Sequence, residues 1–190
     1  MKPGVAGVDE AGRGALAGPV VVAAVILNSA QPVSGLDDSK RLTPARRDIL
    51  FDAIIARVSA YSIVSIDPAT IDRINILQAT LLGMKQAVEQ LQPQPGLALI
   101  DGNQAPQLSV PCRTIIKGDQ LEACISAASI LAKVSRDRYM LEQHRHYPCY
   151  GFDHNKGYPT PDHLQALPEH GPCAIHRQSF GPVRQLTLPL

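Results

Sequence analysis

The chain has 190 residues and a formal net charge of +1, which suits one domain with a substantial hydrophobic core. The near-zero charge excludes binding to nucleic acid by general polycationic attraction, so any such contact would depend on a local patch and on metal ions. The four cysteines are irregularly spaced and include no Cys-x-x-Cys pair, which disfavours a zinc site and favours free thiols in a reducing compartment.

No targeting or membrane signal is visible in the sequence. Asp9 and Glu10 interrupt the N-terminal region too early for a signal peptide. The apolar run over residues 15–27 contains Gly18 and Pro19 and is too short to span a bilayer. We therefore expect a cytoplasmic protein that does not enter the membrane, and nothing in the pattern indicates more than a monomer.

The predicted elements begin with two apolar strands, over residues 5–8 and 20–27, which a short glycine-rich turn joins as a hairpin. Thr43 followed by Pro44 predicts the N-cap and first residue of a helix, and Asp67 begins a short turn or helix. The remaining predicted helices and strands are helices from 44 to about 58, from 75 to about 91, from about 119 to 144 and over 161–167, and strands over 61–66, 97–100 and 113–116.

This order of elements predicts the fold class and the domain organisation. Strands that are followed by mixed helices and strands indicate an α/β domain with a mixed sheet, here of five strands flanked by helices. We expect residues 1–190 to form a single catalytic domain, in which roughly 145–190 is a helical C-terminal extension that binds the substrate, followed by a tail.

Carboxylates follow the ends of several predicted strands. Asp9 and Glu10 follow the first strand, Asp101 follows the fourth, and Asp119 comes just after the fifth. Strand ends at one edge of a sheet converge, and carboxylates brought together repel one another unless cations neutralise them. Oxygen ligands without histidine or cysteine favour Mg²⁺ or Mn²⁺. Two such ions about 4 Å apart can support phosphodiester hydrolysis, so the pattern predicts a metal-dependent nuclease.

Each of these signals has an ordinary structural alternative. Asp119 is also a suitable N-cap for the long helix that follows it, and Asp101-Gly102 is a common turn pair. The spacing of Gly12, Gly14 and Ala17 matches a dinucleotide-binding fingerprint. That fingerprint requires a helix after the glycines, whereas the valine run here predicts a strand, so we reject it.

Seven ordered motifs resemble the bacterial type 2 ribonucleases H, the ribonuclease HII family. They are GVDEAGRG at 7–14, LDDSK at 36–40, LIDGN at 99–103, KGD at 117–119, SAASILAKV at 126–134, KGYPT at 156–160 and HRQSFGPV at 176–183. The resemblance covers nearly the whole chain and implies an RNase H-like fold. It also implies endonucleolytic cleavage of RNA in RNA–DNA hybrids and cleavage 5′ of single ribonucleotides embedded in duplex DNA, leaving 3′-OH and 5′-phosphate ends.

The resemblance also implies roles for individual residues, with two Mg²⁺ or Mn²⁺ ions in the active complex. The metal-binding catalytic carboxylates would be Asp9, Glu10, Asp101 and Asp119. The turn that contacts the ribose 2′-OH would consist of Gly12, Arg13 and Gly14. Tyr158 would stack on the sugar beside the scissile phosphate, and the phosphate backbone would contact Ser39 and Lys40. Glycines permit a close approach of the backbone, and the 2′-OH is the group that distinguishes RNA from DNA. Taken alone, Tyr158 would be an ordinary packed surface aromatic and the Ser39-Lys40 pair a solvated loop.

The C-terminal tail carries a separate hypothesis. The segment 185–190 resembles the short peptides that bind, in extended form, in a groove of the bacterial DNA sliding clamp. The residues that match those peptides are Gln185, Leu186, Leu188 and Leu190. The alternative is that these leucines pack on the core of the protein itself. Two further functions stay open from the residues alone, namely a nuclease that cuts DNA junctions or transposon ends, and a non-catalytic binding module.

Overall fold

The fold is centred on a mixed sheet of five strands. The computed structural model describes residues 4–187. The strands are β1 (Val5–Ala11), β2 (Val20–Ile26), β3 (Ala60–Ile66), β4 (Leu97–Asp101) and β5 (Cys112–Ile115). They lie in the order β3-β2-β1-β4-β5, with β1 antiparallel to β2 and parallel to β4. The predicted hairpin and the predicted mixed sheet are therefore confirmed.

Helices lie on both faces of this sheet and form most of the C-terminal region. They are α1 (Pro44–Arg57), α2 (Pro68–Ile74), α3 (Ile76–Glu89), α4 (Gly118–Leu121), α5 (Ala123–His146), α6 (Phe152–Asn155), α7 (Pro161–His170) and α8 (Gly181–Thr187). The predicted start of α1 is confirmed, because the Thr43 side chain accepts a hydrogen bond from the Arg46 N–H and Pro44 is the first helical residue. Asp67 caps α2 in the same way.

Two of the sequence predictions about element boundaries are wrong. Asp119 does not cap the long helix, because it lies inside the short helix α4, and α5 begins after Glu122 without a side-chain cap. The first strand does not end before the acidic pair, because β1 continues through Asp9 and Glu10 and these residues pair with Ala23 and Val22 of β2. The hydrogen-bond ladder to β2 thus extends the strand beyond its apolar run and fixes both carboxylates in the sheet.

The core has one layer on each face of the sheet. On one face, Val8, Val22 and Ile100 pack with Met84 and Val88 of α3. On the other face, side chains of α1 and α5 pack against β2. Gly7 explains how closely α5 approaches β1, since a Cβ added there would stand 2.1 Å from the backbone carbonyl carbon of Cys124. Only glycine permits this contact, which places the first turns of α5 beside the acidic end of β1.

The C-terminal region packs on the connection between β1 and β2. Ala17 of that connection is buried with Met140, Tyr150 and Phe152, and Leu16 packs with Leu167 and Val183. The predicted helical extension therefore supports the turn that follows the acidic pair. No helix within residues 4–187 combines the length and the apolarity needed to cross a membrane.

Candidate active site

The structure brings the four predicted carboxylates together at one edge of the sheet. Asp9 and Glu10 lie in β1, and Asp101 ends the neighbouring parallel strand β4, where Val8 pairs with Ile100. Asp101 Oδ1 accepts a hydrogen bond of 2.7 Å from the Gly118 N–H, which ties the α4 turn to the end of β4. Asp119 follows in that turn and is buried.

The acid–base properties of these groups reflect their burial and their closeness. Burial raises the pKa of Asp9 well above its usual value, and the negative charges of Glu10 and Asp101 raise it further. Burial also raises the pKa of Glu10. The pKa of Asp119 is raised by burial first and then by the charges of Asp38 and Asp101. Each of these carboxylates is therefore costly to ionise at this edge until a cation approaches it.

Two basic side chains supply part of the missing positive charge. The Arg13 guanidinium lies 3.4 Å from Glu10 Oε1, and the Lys40 ammonium lies 3.7 Å from Asp119 Oδ2. Both are largely exposed, with 51% of the Arg13 side chain and 78% of the Lys40 side chain accessible to solvent. Exposed basic groups of this kind remain available to the phosphates of a ligand.

The donor set fits a hard divalent cation, although the protein does not form a complete cage for one. Among residues 4–187, no group of three or more His, Cys, Asp or Glu side chains has the arrangement of a metal site. Mg²⁺ is commonly held by one or two carboxylates, with water and substrate phosphates completing its octahedron. An all-oxygen cluster in which burial raises the pKa of Asp9, Glu10 and Asp119, with the exposed basic groups of Lys40 and Arg13 beside it, matches that kind of site.

Asp38 is a residue of the site that sequence reasoning missed. It is buried, its Oδ1 accepts a hydrogen bond of 2.9 Å from the Lys40 N–H, and its charge helps to raise the pKa of Asp119. The signal was present in the sequence, because Asp38 directly precedes the Ser39-Lys40 pair. It also lies in the LDDSK motif at 36–40, but the resemblance assigns a role only to Ser39 and Lys40 of that motif.

The loop that carries Lys40 is held from two sides. The Ser39 and Ser129 hydroxyl oxygens are 2.8 Å apart, which docks the loop on α5. The Arg47 guanidinium of α1 donates hydrogen bonds to the carbonyl oxygens of Ser39 and Leu42, at 2.8 and 2.6 Å. These contacts keep Lys40 beside Asp119.

A cleft of about 440 Å³ opens beside the carboxylates. Its lining consists of Glu10, Ala11, Gly12, Arg13, Gly14, Ser39, Lys40, Ser129, Lys133 and Tyr158. The structure therefore brings every substrate-binding residue predicted from the sequence to one cleft. Gly12 has a φ of 98°, and a Cβ there would stand 2.0 Å from Arg136 Nε, so this turn requires glycine. The Tyr158 ring lies over the Arg136 guanidinium, 5.1 Å from its centroid to Cζ.

The predicted clamp-binding residues are only partly visible. Gln185 and Leu186 are exposed in α8, so this part of the tail is helical where the sequence hypothesis requires an extended form. Leu188 and Leu190 lie outside the described residues.

A family model described as Ribonuclease HII matches residues 6–183. The chain belongs to the ribonuclease HII family. It is 58% identical over 181 residues to Ribonuclease HII of Burkholderia ambifaria, an alignment that covers 95% of this chain and 83% of that protein. The sequence-based assignment to this family is thus confirmed, and the chain is a type 2 ribonuclease H, an endoribonuclease that acts on RNA–DNA hybrids.

Solved structures confirm the RNase H-like fold. The ribonuclease H2 of Pyrococcus horikoshii OT3 superimposes with a TM-score of 0.80 at 27% identity, and 96% of each chain is covered. The RNase HII of Archaeoglobus fulgidus, solved in complex with PCNA, gives a TM-score of 0.77 at 24% identity and covers 94% of this chain and 95% of that one. The second likeness concerns the fold alone.

Proposed function

We propose that this ribonuclease HII is metal-dependent and cuts both RNA in RNA–DNA hybrids and the 5′ side of single ribonucleotides embedded in duplex DNA. Asp9, Glu10, Asp101 and Asp119 would hold Mg²⁺ or Mn²⁺, with two ions in the active complex. When bound, such ions would activate water and stabilise the charge on the leaving oxygen. The observation that carries the proposal is the meeting of these four carboxylates at one sheet edge beside an open cleft.

The proposed reaction is a hydrolysis at the phosphate 5′ of the ribonucleotide. The water oxygen bonds to phosphorus, and the bond from phosphorus to the O3′ of the preceding nucleotide breaks. The leaving O3′ takes a proton and becomes a 3′-OH, while the phosphate stays on the ribonucleotide as a 5′-phosphate. Lys40 and Ser39 would hold the strand by its backbone, which is consistent with the exposed ammonium of Lys40 beside Asp119.

Recognition of the ribose would be the task of the turn formed by Gly12, Arg13 and Gly14. A Cβ added at Gly14 would meet nothing within 4 Å, so the backbone there is open to a ligand. Tyr158, which also lines the cleft, would stack on the sugar beside the scissile phosphate. A backbone contact to the 2′-OH would reject deoxyribose, because the partner of that contact would be missing.

One assay tests the proposal. A duplex with a single embedded ribonucleotide and an all-DNA duplex of the same sequence are each incubated with the enzyme and Mg²⁺, and the products are resolved on a denaturing gel. We expect one cut on the 5′ side of the ribonucleotide and none in the all-DNA duplex. Asp9→Asn should abolish the cut, whereas Asp52→Asn, a change at an exposed position of α1, should not. Cutting of both duplexes, or an active Asp9→Asn enzyme, would contradict the proposal.

The same assay distinguishes the alternatives from the sequence. A nuclease for DNA junctions would cut a branched all-DNA substrate, and a binding module would cut nothing. Membership of the ribonuclease HII family and the presence of all four carboxylates favour the hydrolase that reads ribose.

We also propose that residues 185–190 bind the bacterial sliding clamp. Exposure of Gln185 and Leu186 supports this, and the Archaeoglobus fulgidus RNase HII forms a complex with PCNA. The last turn of α8 would have to unwind to bind in extended form. Deletion of residues 185–190 should abolish binding to the clamp in a surface-immobilised assay while cleavage of a short duplex persists, and unchanged affinity would end the idea.

A further inference from the structure

Two arginines are completely buried beneath the turn that forms one wall of the cleft. Arg136 of α5 and Arg177, between α7 and α8, each have 0% of their surface exposed. Within residues 4–187 neither guanidinium lies within salt-bridge distance of a carboxylate. Burying a cation without a carboxylate is expensive, so these groups call for an explanation other than simple packing.

Their hydrogen bonds all go to backbone carbonyl groups. Arg177 donates to the carbonyl oxygens of Gly12 at 2.7 Å, Arg13 at 2.9 Å and Gly18 at 2.9 Å. Arg136 donates instead to the carbonyl oxygens of Ala17, Pro19 and Lys156. The two arginines therefore bind different carbonyl groups of the connection between β1 and β2, and Arg177 binds those of the part that lines the cleft.

Fixing a carbonyl group also fixes the amide that follows it, because the peptide unit is planar and trans. With the Gly12 and Arg13 oxygens pointing towards buried Arg177, the N–H groups of Arg13 and Gly14 point the opposite way. Neither N–H has a hydrogen-bond acceptor among residues 4–187. Both residues line the cleft, so the turn presents free backbone donors to a ligand.

Arginine is suited to this task in a way that lysine is not. Its planar guanidinium presents five N–H donors in a rigid fork, and here three nitrogens bind three carbonyl oxygens at once. A lysine ammonium is a single point on a flexible stem and cannot hold two successive peptide planes in fixed orientations. The guanidinium of Arg177 thus fixes the orientation of the peptide planes in the turn, which packing alone would not do.

We propose that Arg177 is a positioning residue for the discrimination between ribose and deoxyribose, because it orients the Arg13 and Gly14 amides towards the 2′-OH. The inference rests on the proposed function of the turn. It predicts that loss of the fork weakens binding of a ribonucleotide-containing duplex specifically, and leaves binding of all-DNA duplex, which depends on phosphate contacts, nearly unchanged.

The test measures a selectivity ratio, the Kd for all-DNA duplex divided by the Kd for the same duplex with one ribonucleotide. Asp9→Asn serves as the parent so that neither duplex is cut in Mg²⁺. We expect a parent ratio of about 10 or more, since hydrogen bonds to the 2′-OH would be made with one duplex only. Arg177→Lys should bring the ratio close to 1 and leave the Kd for all-DNA duplex within about 3-fold.

Val88→Ala is the control for lost stability, since it removes buried side-chain volume from the α3 layer of the core and Val88 does not line the cleft. We expect it to lower the melting temperature while keeping the parent ratio. An unchanged ratio in Arg177→Lys, or an equal loss in both variants, would overturn the assignment. A parent ratio of 1 would instead overturn the proposed reading of ribose. If Arg177→Lys does not fold, Arg177→Gln gives the same comparison with Val88→Ala.

Discussion

At the scale of single residues, the carboxylates of the active site lower the stability of the folded protein. Asp9 is buried beside Glu10 and Asp101, and burial and these charges hold the pKa of its carboxyl above the usual range. A carboxylic acid with a raised pKa in the folded state costs stability once it ionises, and this cost disappears as the pH falls through the raised pKa. At neutral pH and without divalent cations, the burial of the Asp9 carboxyl therefore lowers the stability of the folded protein.

The first prediction follows from that cost. Asp9→Asn should unfold at a higher urea concentration than the wild type at pH 7.5 in EDTA, because the neutral amide keeps the acceptor for the Glu10 N–H without the charge. The advantage should shrink as the pH is lowered, when the Asp9 carboxyl of the wild type becomes protonated. Mg²⁺ should stabilise the wild type more than the variant. Urea titrations with and without Mg²⁺ measure this, and a less stable variant in EDTA would contradict it.

The second prediction concerns Tyr158, whose ring lies over Arg136 and 5.8 Å from the Lys133 ammonium. If the ring stacks on the substrate, Tyr158→Phe should keep kcat/KM within about 3-fold, whereas Tyr158→Ala should lower it by about 10-fold or more. Steady-state cleavage of the duplex with one ribonucleotide measures both. Equal losses in both variants would assign the effect to the hydroxyl and reject stacking.

At the scale of elements, α1 and α5 together hold the Lys40 loop. Arg47 binds two carbonyl groups of this loop, while its neighbour Arg46 is exposed on the same helix. The third prediction is that Arg47→Ala lowers kcat/KM about 10-fold through a higher KM, since the loss of two charge-assisted hydrogen bonds frees the loop that presents Lys40. Arg46→Ala is the control and should act like the wild type. Equal effects of both changes would show that only helix charge matters.

The elements also show what sequence alone can predict. Apolar periodicity and turn residues were enough for the five strands and for α1, α3 and α5, because those signals are local. The end of β1 was misplaced because its last residues are held by pairing with β2, which no local pattern reports. Arg136 and Arg177 were missed because arginine is ordinarily exposed. Their burial depends on carbonyl groups more than a hundred residues away.

At the scale of the whole molecule, the C-terminal region acts as a support for the cleft. A chain of hydrogen bonds runs from the Cys173 N–H to His176 Nδ1, from His176 Nε2 to His163 Nε2, and from His163 Nδ1 to the Tyr158 carbonyl oxygen. The chain requires both imidazoles to be neutral, with His176 donating through Nε2 and His163 through Nδ1. The hydrogen-bond chain links the loop after α7 to Tyr158, which lines the cleft. That residues 1–190 form a single domain stays a prediction.

This network makes stability depend on pH. Burial, followed by the nearby His163, lowers the pKa of His176 from 6.5 to about 4, and burial lowers that of His163. For a histidine with a lowered folded-state pKa, the stabilisation is fully present above the unfolded pKa and is lost as the pH falls towards the folded one. The loss for His176 between pH 6.5 and about 4 corresponds to roughly 3 kcal/mol.

The fourth prediction separates this effect from that of the acidic cluster. His176→Asn keeps an acceptor near the Cys173 N–H but cannot titrate, so it should be less stable than the wild type at pH 7.5 and should lose less stability between pH 6.5 and 4. Because the carboxylates are the same in both proteins, their contribution cancels in the difference. His146→Asn, at an exposed side chain near the end of α5, should follow the wild-type curve. Urea unfolding at a series of pH values measures the difference, and parallel curves for His176→Asn and the wild type would show that His176 is not the titrating group.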